Sequence, residues 1–222
     1  MLKHVIFDLD GTLIDTVDLH ALSWVETFAH FGVSTPFFDV RNQIGKGGDQ
    51  LMPVFLDQRV IDKCGPDIEA FRVRLFSDKY FPSAQPFPNV RELFTAIRRA
   101  QAGCAIASSC SADELPKYLK LANINDLVEA ATTADDVKKS KPHPDVFHAI
   151  LDKLPKAANK DETIVIGDSP YDAVAAGKAG LRTIGVLSGG FSENDLRKAG
   201  CMELYADPSD LLVNFDRWFA LQ

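Results

Sequence analysis

Short apolar runs that stop at small or acidic residues recur along the chain. Four of them, HVIFD (4–8), GCAIASS (103–109), TIVIGD (163–168) and RTIGV (182–186), are rich in Val, Ile and Ala and predict buried strands. Helical patterns separate them. NVRELFTAIRRAQ spaces Val90, Leu93, Phe94 and Ile97 on one face at the 3.6-residue period. SADELPKYLKLA opens with Ser111 and Glu114 at capping-box spacing, which predicts a helix start. Pro116 disturbs that helix little if it lies in the first turn. PHPDVFHAILDKL begins with Pro144, suited to a first helical position, and SPYDAVAAGKAG ends in Gly180, a C-cap candidate. Strands alternating with helices of these lengths predict an α/β fold, a parallel sheet covered on both faces.

Residues 16–84 break the alternation. DLHALSWVETFAHFG and DIEAFRVRLFSDKYF read as amphipathic helices, IGKGGDQ as a glycine-rich connection, and no strand is evident. FPSAQPFPNV, with Pro82, Pro86 and Pro88, reads as a stiff linker back to the core. The expected organisation is a core of residues 1–15 and 85–222, interrupted by an all-helical, mobile cap of residues 16–84.

A chain of 222 residues suffices for one domain with such an insert. Its 46% hydrophobic and 25% charged residues are those of a globular protein. A net charge of −7 argues against a nucleic-acid surface. No apolar run approaches the roughly 20 residues that cross a membrane. The N-terminal residues lack the pattern of a signal peptide. Cys64, Cys104, Cys110 and Cys201 have neither CxxC nor metal-type spacing, so free thiols in the reducing cytoplasm are expected.

Ligands of open parallel sheets bind at the carboxyl ends of the strands. Those ends carry Asp8 and Asp10, then Ser108 and Ser109, then Asp168 and Asp172, while Lys141 lies in KKSKPHPD before a helix. Like charges as close as Asp8 and Asp10 cost energy unless a cation or a reaction needs them. An acidic oxygen cluster suits Mg²⁺, which takes carboxylates together with phosphate oxygens and water.

DLDGT at 8–12, AS at 107–108, SKPHPDVF at 140–147 and GDSPYD at 167–172 resemble, in order, the four motifs of the haloacid dehalogenase-like superfamily. The resemblance covers nearly the whole chain and implies a Rossmann-like core with a helical cap. Position by position, it implies that Asp8 attacks phosphorus to form an aspartyl phosphate. Asp10 would protonate the leaving alcohol and then activate water. Ser108 would hydrogen-bond the phosphoryl group, with Ser109 or Ser111 as alternatives, and Lys141 would neutralise that group and Asp8. Lys138 and Lys139 fit less well, since Lys141 alone precedes a proline. Mg²⁺ would be held by Asp8, the backbone carbonyl of Asp10 and Asp168, with Asp172 beside it or acting through water. Gly11 and Thr12 would turn the chain past the phosphate.

The insert resembles the cap of phosphoglycolate phosphatases and β-phosphoglucomutases. IGKGGDQLM is similar to a cap loop of the former, which would set Lys46, beside the flexible Gly47 and Gly48, against a second anionic group. Arg41 and Gln50 are weaker candidates. His20 and Trp24 fall where the mutases carry hinge residues, although plain phosphatases share the pair and a lone helical His also fits packing or capping. The expected activity is Mg²⁺-dependent hydrolysis of a small phosphomonoester, phosphoglycolate-like or sugar-phosphate-like. A phosphosugar mutase is the alternative, weakened because IGKGGDQ lacks the arginine that grips the distal phosphate in mutases. Asp10 and the acidic fourth motif disfavour a dehalogenase. The helical insert disfavours a phosphoacceptor switch. The implied partner is a small phosphorylated metabolite, with no nucleic acid or membrane, and the chain is expected to be a monomer or weak homodimer.

Overall fold

A computed structural model describes residues 2–155 and 159–220. In chain order the first half contains β1 (His4–Phe7), β2 (Ile14–Asp15), α1 (Val17–His30), α2 (Phe37–Arg41), α3 (Gly48–Phe55), α4 (Gln58–Leu75), β3 (Gln85–Pro86), α5 (Val90–Arg99) and β4 (Gly103–Ala107). The second half contains α6 (Leu115–Leu121), β5 (Val128–Thr132), α7 (Asp145–Lys153), β6 (Thr163–Gly167), α8 (Pro170–Lys178), β7 (Arg182–Val186), α9 (Glu193–Ala199), β8 (Cys201–Tyr205), α10 (Pro208–Val213) and α11 (Phe215–Phe219). Six parallel strands form one sheet in the order β5-β4-β1-β6-β7-β8.

The period of two along each strand distributes side chains between two cores. Val5 and Phe7, Cys104 and Ile106, and Ile164 and Ile166 face one side, against Leu93 and Phe94 of α5, Tyr118 of α6 and Trp218 of α11. Ile6, Ala105 and Val165 face the other, against Phe147 and Ile150 of α7 and Ala175 and Ala176 of α8. Gly180, at φ +77°, ends α8 as expected, with the Leu181 N–H returning to the Ala176 carbonyl at 2.9 Å.

All four predicted strands form, and β5 and β8 are additions at the two sheet edges. Their sequences VEAAT and CMELY carry Glu129 and Glu203 mid-strand and are only partly buried. The Ser111–Glu114 helix start is corrected: α6 begins at Leu115, with Pro116 in its first turn. The Ser111 N–H and hydroxyl both donate to the Glu114 carboxylate instead, so the pair closes a turn ahead of the helix. FPSAQPFPNV is more than a linker. Its Gln85 and Pro86 pair antiparallel with Asp15 and Ile14, an edge position that a proline tolerates. The chain thus leaves and returns to the core at one place.

Between β2 and β3 lie the four helices α1–α4, which enclose an apolar cluster of their own. Trp24 and Phe28 of α1, Val40 of α2, Leu51 of α3 and Ile68 of α4 meet there. Among the described residues no helix is long and apolar enough to cross a membrane, and all four cysteines are free.

Candidate active site

Because β1 lies between β4 and β6, the chain segments after Phe7, Ala107 and Gly167 emerge side by side. The turn after β1 is tight. Gly11 adopts φ +85°, and a Cβ there would come within 2.4 Å of Asp168 Oδ2. The Thr12 hydroxyl donates to Asp168 Oδ1 at 3.0 Å. Both residues of the turn therefore position an acid of the fourth motif.

Lys141 is 1% exposed and reaches the same point. Its ammonium donates to Asp8 Oδ1 at 2.6 Å and to the Ala107 carbonyl at 2.9 Å, and pairs with Asp172 Oδ1 at 2.7 Å. Three acceptors saturate its three donors. Asp172 is held from its other oxygen by a capping box at the start of α8. Its Oδ2 accepts the Ser169 N–H at 3.1 Å and the Ser169 hydroxyl at 2.6 Å.

Asp8, Asp168 and Asp172 are all buried, and each offers an oxygen within 4.8 Å of the others. Burial, then the charges of Asp172 and Asp10, push the Asp8 carboxyl up to about 7 despite Lys141. Burial, with Asp172 and Asp8, holds Asp168 well above the carboxylate range. Burial opposes the charge on Lys141, but Asp172 and Asp8 outweigh it and raise the lysine above its ordinary value. One lysine does not neutralise three carboxylates. The trio is a hard-oxygen donor set lacking positive charge, which fits a divalent cation of the Mg²⁺ type. The backbone of Gly189 packs directly against the trio: a Cβ there would fall 1.8 Å from Asp168 Oδ2.

Asp10 has a different set of partners. Its Oδ1 accepts the Thr16 hydroxyl at 2.6 Å and lies 3.0 Å from His20 Nε2. His20 is stacked on Phe76 with ring centroids 3.9 Å apart, and the same nitrogen lies 3.2 Å from the Tyr118 hydroxyl. Burial pushes Asp10 up, but the charge and hydrogen bond of His20 and the Thr16 bond carry it below its ordinary value. Environment therefore separates two acids that stand two residues apart.

A cavity of about 60 Å³, measured as the space open to the centre of a water molecule, lies between these strand ends and α1–α4. Asp8, Asp10, His20, Lys46, Arg72 and Ser109 are among its walls. Ser108 is buried beside it, its N–H donating to the Thr132 carbonyl and its Oγ accepting the Cys110 N–H, both at 3.1 Å. Burial pushes the Cys110 thiol far up, which leaves it inert as a nucleophile. Lys46 donates to Gln43 Oε1 at 2.5 Å and lies 4.8 Å over the Tyr171 ring. The Gly47 N–H donates to Ser140 Oγ at 3.0 Å, and the Asp49 carboxylate accepts from the Ser140 hydroxyl and, at 3.2 Å, its N–H. IGKGGDQ is thus fastened to the residue preceding Lys141. Arg41 binds Asp18 at 2.6 Å and the Gly189 carbonyl at 3.1 Å, and Gln50 binds Asp49 at 2.9 Å; neither lines the cavity.

Sequence reading missed Arg72, Glu114 and Tyr118, all buried on the cavity wall. Arg72 left a usable signal. It stands four residues from Ile68 and four from Phe76, on the buried stripe of its helix, where a charge needs a reason.

Comparison with known proteins defines the class. The haloacid dehalogenase-like hydrolase family matches residues 5–186, and the chain belongs to that family: it is an enzyme, a hydrolase. A pyrophosphatase PpaX of Bacillus velezensis is 29% identical over 182 residues, 82% of each chain. A phosphoglycolate phosphatase of Vibrio parahaemolyticus is 28% identical over 221 residues, 95% of each chain. The crystal structure of a hydrolase from Pseudomonas syringae superposes with a TM-score of 0.83 at 29% identity, over 96% of this chain and 98% of its own.

Proposed function

We propose that the protein is a Mg²⁺-dependent phosphatase that hydrolyses a small phosphomonoester, phosphoglycolate-like or sugar-phosphate-like, through an aspartyl phosphate on Asp8. The observation that carries this reading is the division between Asp8, bound to Lys141, and Asp10, bound to Thr16 and His20. The phosphatase and pyrophosphatase names of the relatives support a small phosphorylated substrate.

Asp8, Asp168, Asp172 and the backbone carbonyl of Asp10 would hold the metal, whose charge lets a phosphate dianion approach the carboxylates. Asp8 attacks phosphorus as the bond to the leaving oxygen breaks, and Asp10 gives that oxygen its proton. Asp10, again an anion, then takes a proton from the water that hydrolyses the acyl phosphate. Thr16 and His20 keep the Asp10 carboxylate aimed through both steps. Lys141 offsets charge on Asp8 and the phosphoryl group, and Ser108 and Ser109 donate hydroxyl hydrogen bonds to that group. Residues 16–84 act as a cap over a core of 1–15 and 85–222, a division supported by their separate apolar cluster and the β2–β3 pairing. The four free cysteines support a reducing, cytoplasmic setting, in which the chain acts as a monomer or weak homodimer.

The test is phosphate release from 2-phosphoglycolate, hexose and pentose phosphates, and β-glucose 1-phosphate with and without a bisphosphate primer. Mg²⁺-dependent release by the wild type, absent in Asp8→Asn, is expected. Primed conversion of glucose 1-phosphate to glucose 6-phosphate without any release would replace the phosphatase by a mutase.

A further inference from the structure

Six buried side-chain polar atoms among the described residues lack a hydrogen-bond partner. Three are threonine hydroxyls, and Asp172 Oδ1 has its ion pair with Lys141. The other two belong to charged groups, Glu69 Oε2 and Arg72 Nε, which stand three residues apart on α4 and line the catalytic cavity. Arg72 is buried, whereas Glu69 buries Oε2 with 37% of its side chain exposed; a buried charged atom without a partner is costly and calls for a ligand or a reason.

The remaining contacts of the pair are weak. Arg72 is 9% exposed, yet its guanidinium is only 3.4 Å from Glu69 Oε1 and 3.5 Å from His20 Nδ1, at the long limit for hydrogen bonds. It packs over Trp24, 5.5 Å from the ring centroid. Glu69 occupies space left by a missing side chain: a Cβ at Gly48 would fall 2.0 Å from Oε2. An unused donor and an unused acceptor thus stand three residues apart on one helix, in the wall of the cavity that Asp8 also lines.

We infer that Glu69 and Arg72 read the leaving group of the substrate, and that this group is a polyol, as in a sugar or glycerol phosphate, rather than a carboxylate. The inference rests on the phosphatase reading above. A hydroxyl meets both residues at once, since its oxygen accepts from the guanidinium and its hydrogen goes to the carboxylate. A phosphorylated hydroxy acid brings a second anion with acceptors only. Arg72 attracts it, but Glu69, within 3.4 Å of that guanidinium, repels it, and Glu114 adds a further carboxylate to the cavity wall. Lys46, the other cation of the wall, gives one of its three donors to Gln43.

The experiment compares kcat/KM for glycerol 3-phosphate and glucose 6-phosphate with that for 2-phosphoglycolate, in the wild type, Glu69→Gln and Arg72→Lys. p-Nitrophenyl phosphate reports phosphatase chemistry free of either feature. Sites that hydrogen-bond a substrate hydroxyl discriminate strongly against analogues lacking it, so a wild-type preference for the better polyol phosphate of about tenfold or more is expected. Glu69→Gln should shrink that ratio by about tenfold, because the repulsion is removed while an acceptor remains. The ratio within one enzyme cancels any effect of a substitution on folding. A wild type that prefers 2-phosphoglycolate, or a ratio unmoved in Glu69→Gln, overturns the inference alone if p-nitrophenyl phosphate is still turned over. No Mg²⁺-dependent release from any ester, p-nitrophenyl phosphate included, overturns the phosphatase reading and this inference with it.

Discussion

Metal-free, the acidic cluster should be a source of instability that Asp8→Asn relieves while it abolishes turnover. The Asp8 carboxyl rises from 3.8 to about 7 on folding, chiefly through burial. Below the unfolded value both states hold the proton and nothing is lost. As pH rises from about 4 to about 7, the unfolded chain ionises while the folded chain keeps its proton, so folding stability falls. Above about 7 the penalty is complete. Roughly three pKa units at about 1.4 kcal/mol each give on the order of 4 kcal/mol as a ceiling. Asparagine resembles the protonated acid and cannot ionise, and its amide oxygen can still accept from Lys141. Urea unfolding in EDTA should therefore find Asp8→Asn more stable than the wild type by about 2–4 kcal/mol at pH 8 and nearly equal at pH 3.5. Mg²⁺ should narrow the gap, since the wild type has the complete carboxylate trio to bind it. A variant equal to or less stable than the wild type at pH 8 in EDTA would refute the reasoning.

Three further outcomes follow from the same geometry. His20→Asn removes the charge that most lowers Asp10, so the basic limb of the kcat/KM profile, on which Asp10 loses the proton it donates, should move to higher pH; an unmoved limb would dissociate Asp10 from His20. Gly11→Ala places a Cβ 2.4 Å from Asp168 Oδ2 at φ +85°. It should destabilise the fold by about 1–3 kcal/mol in thermal unfolding and weaken protection by Mg²⁺, whereas a wild-type melting curve would count against a tight turn there. Asp49→Ala removes the acceptors of the Ser140 N–H and hydroxyl, two bonds of about 1 kcal/mol each. Steady-state kinetics should show KM raised by about tenfold, and unchanged kinetics would mean that this anchorage does not serve binding.

Local pattern alone determined the centre of this protein. β1, β4, β6 and β7 are mostly apolar because helices cover both faces, and burial on both sides leaves a short apolar run in the sequence. β5 and β8 escaped notice because an edge partly meets water and tolerates Glu129 and Glu203. The convergence of the candidate residues was legible for a related reason: in a parallel sheet every motif that ends a strand arrives at the same edge. What each side chain does there was decided only in three dimensions. Asp8 and Asp10 are two residues apart and of one type, yet one binds a lysine 133 positions away and the other a histidine on the inserted helix α1. Ser111 and Glu114 have the spacing of a helix cap and form a turn instead. Arg72 and Glu69 look like ordinary charges on a helix until the tertiary structure turns them into a cavity and leaves one atom of each without a partner. The physical reason is common to all three. Charge and hydrogen-bond energies depend on distance through space and on exclusion of water, and neither quantity is carried by position along the chain.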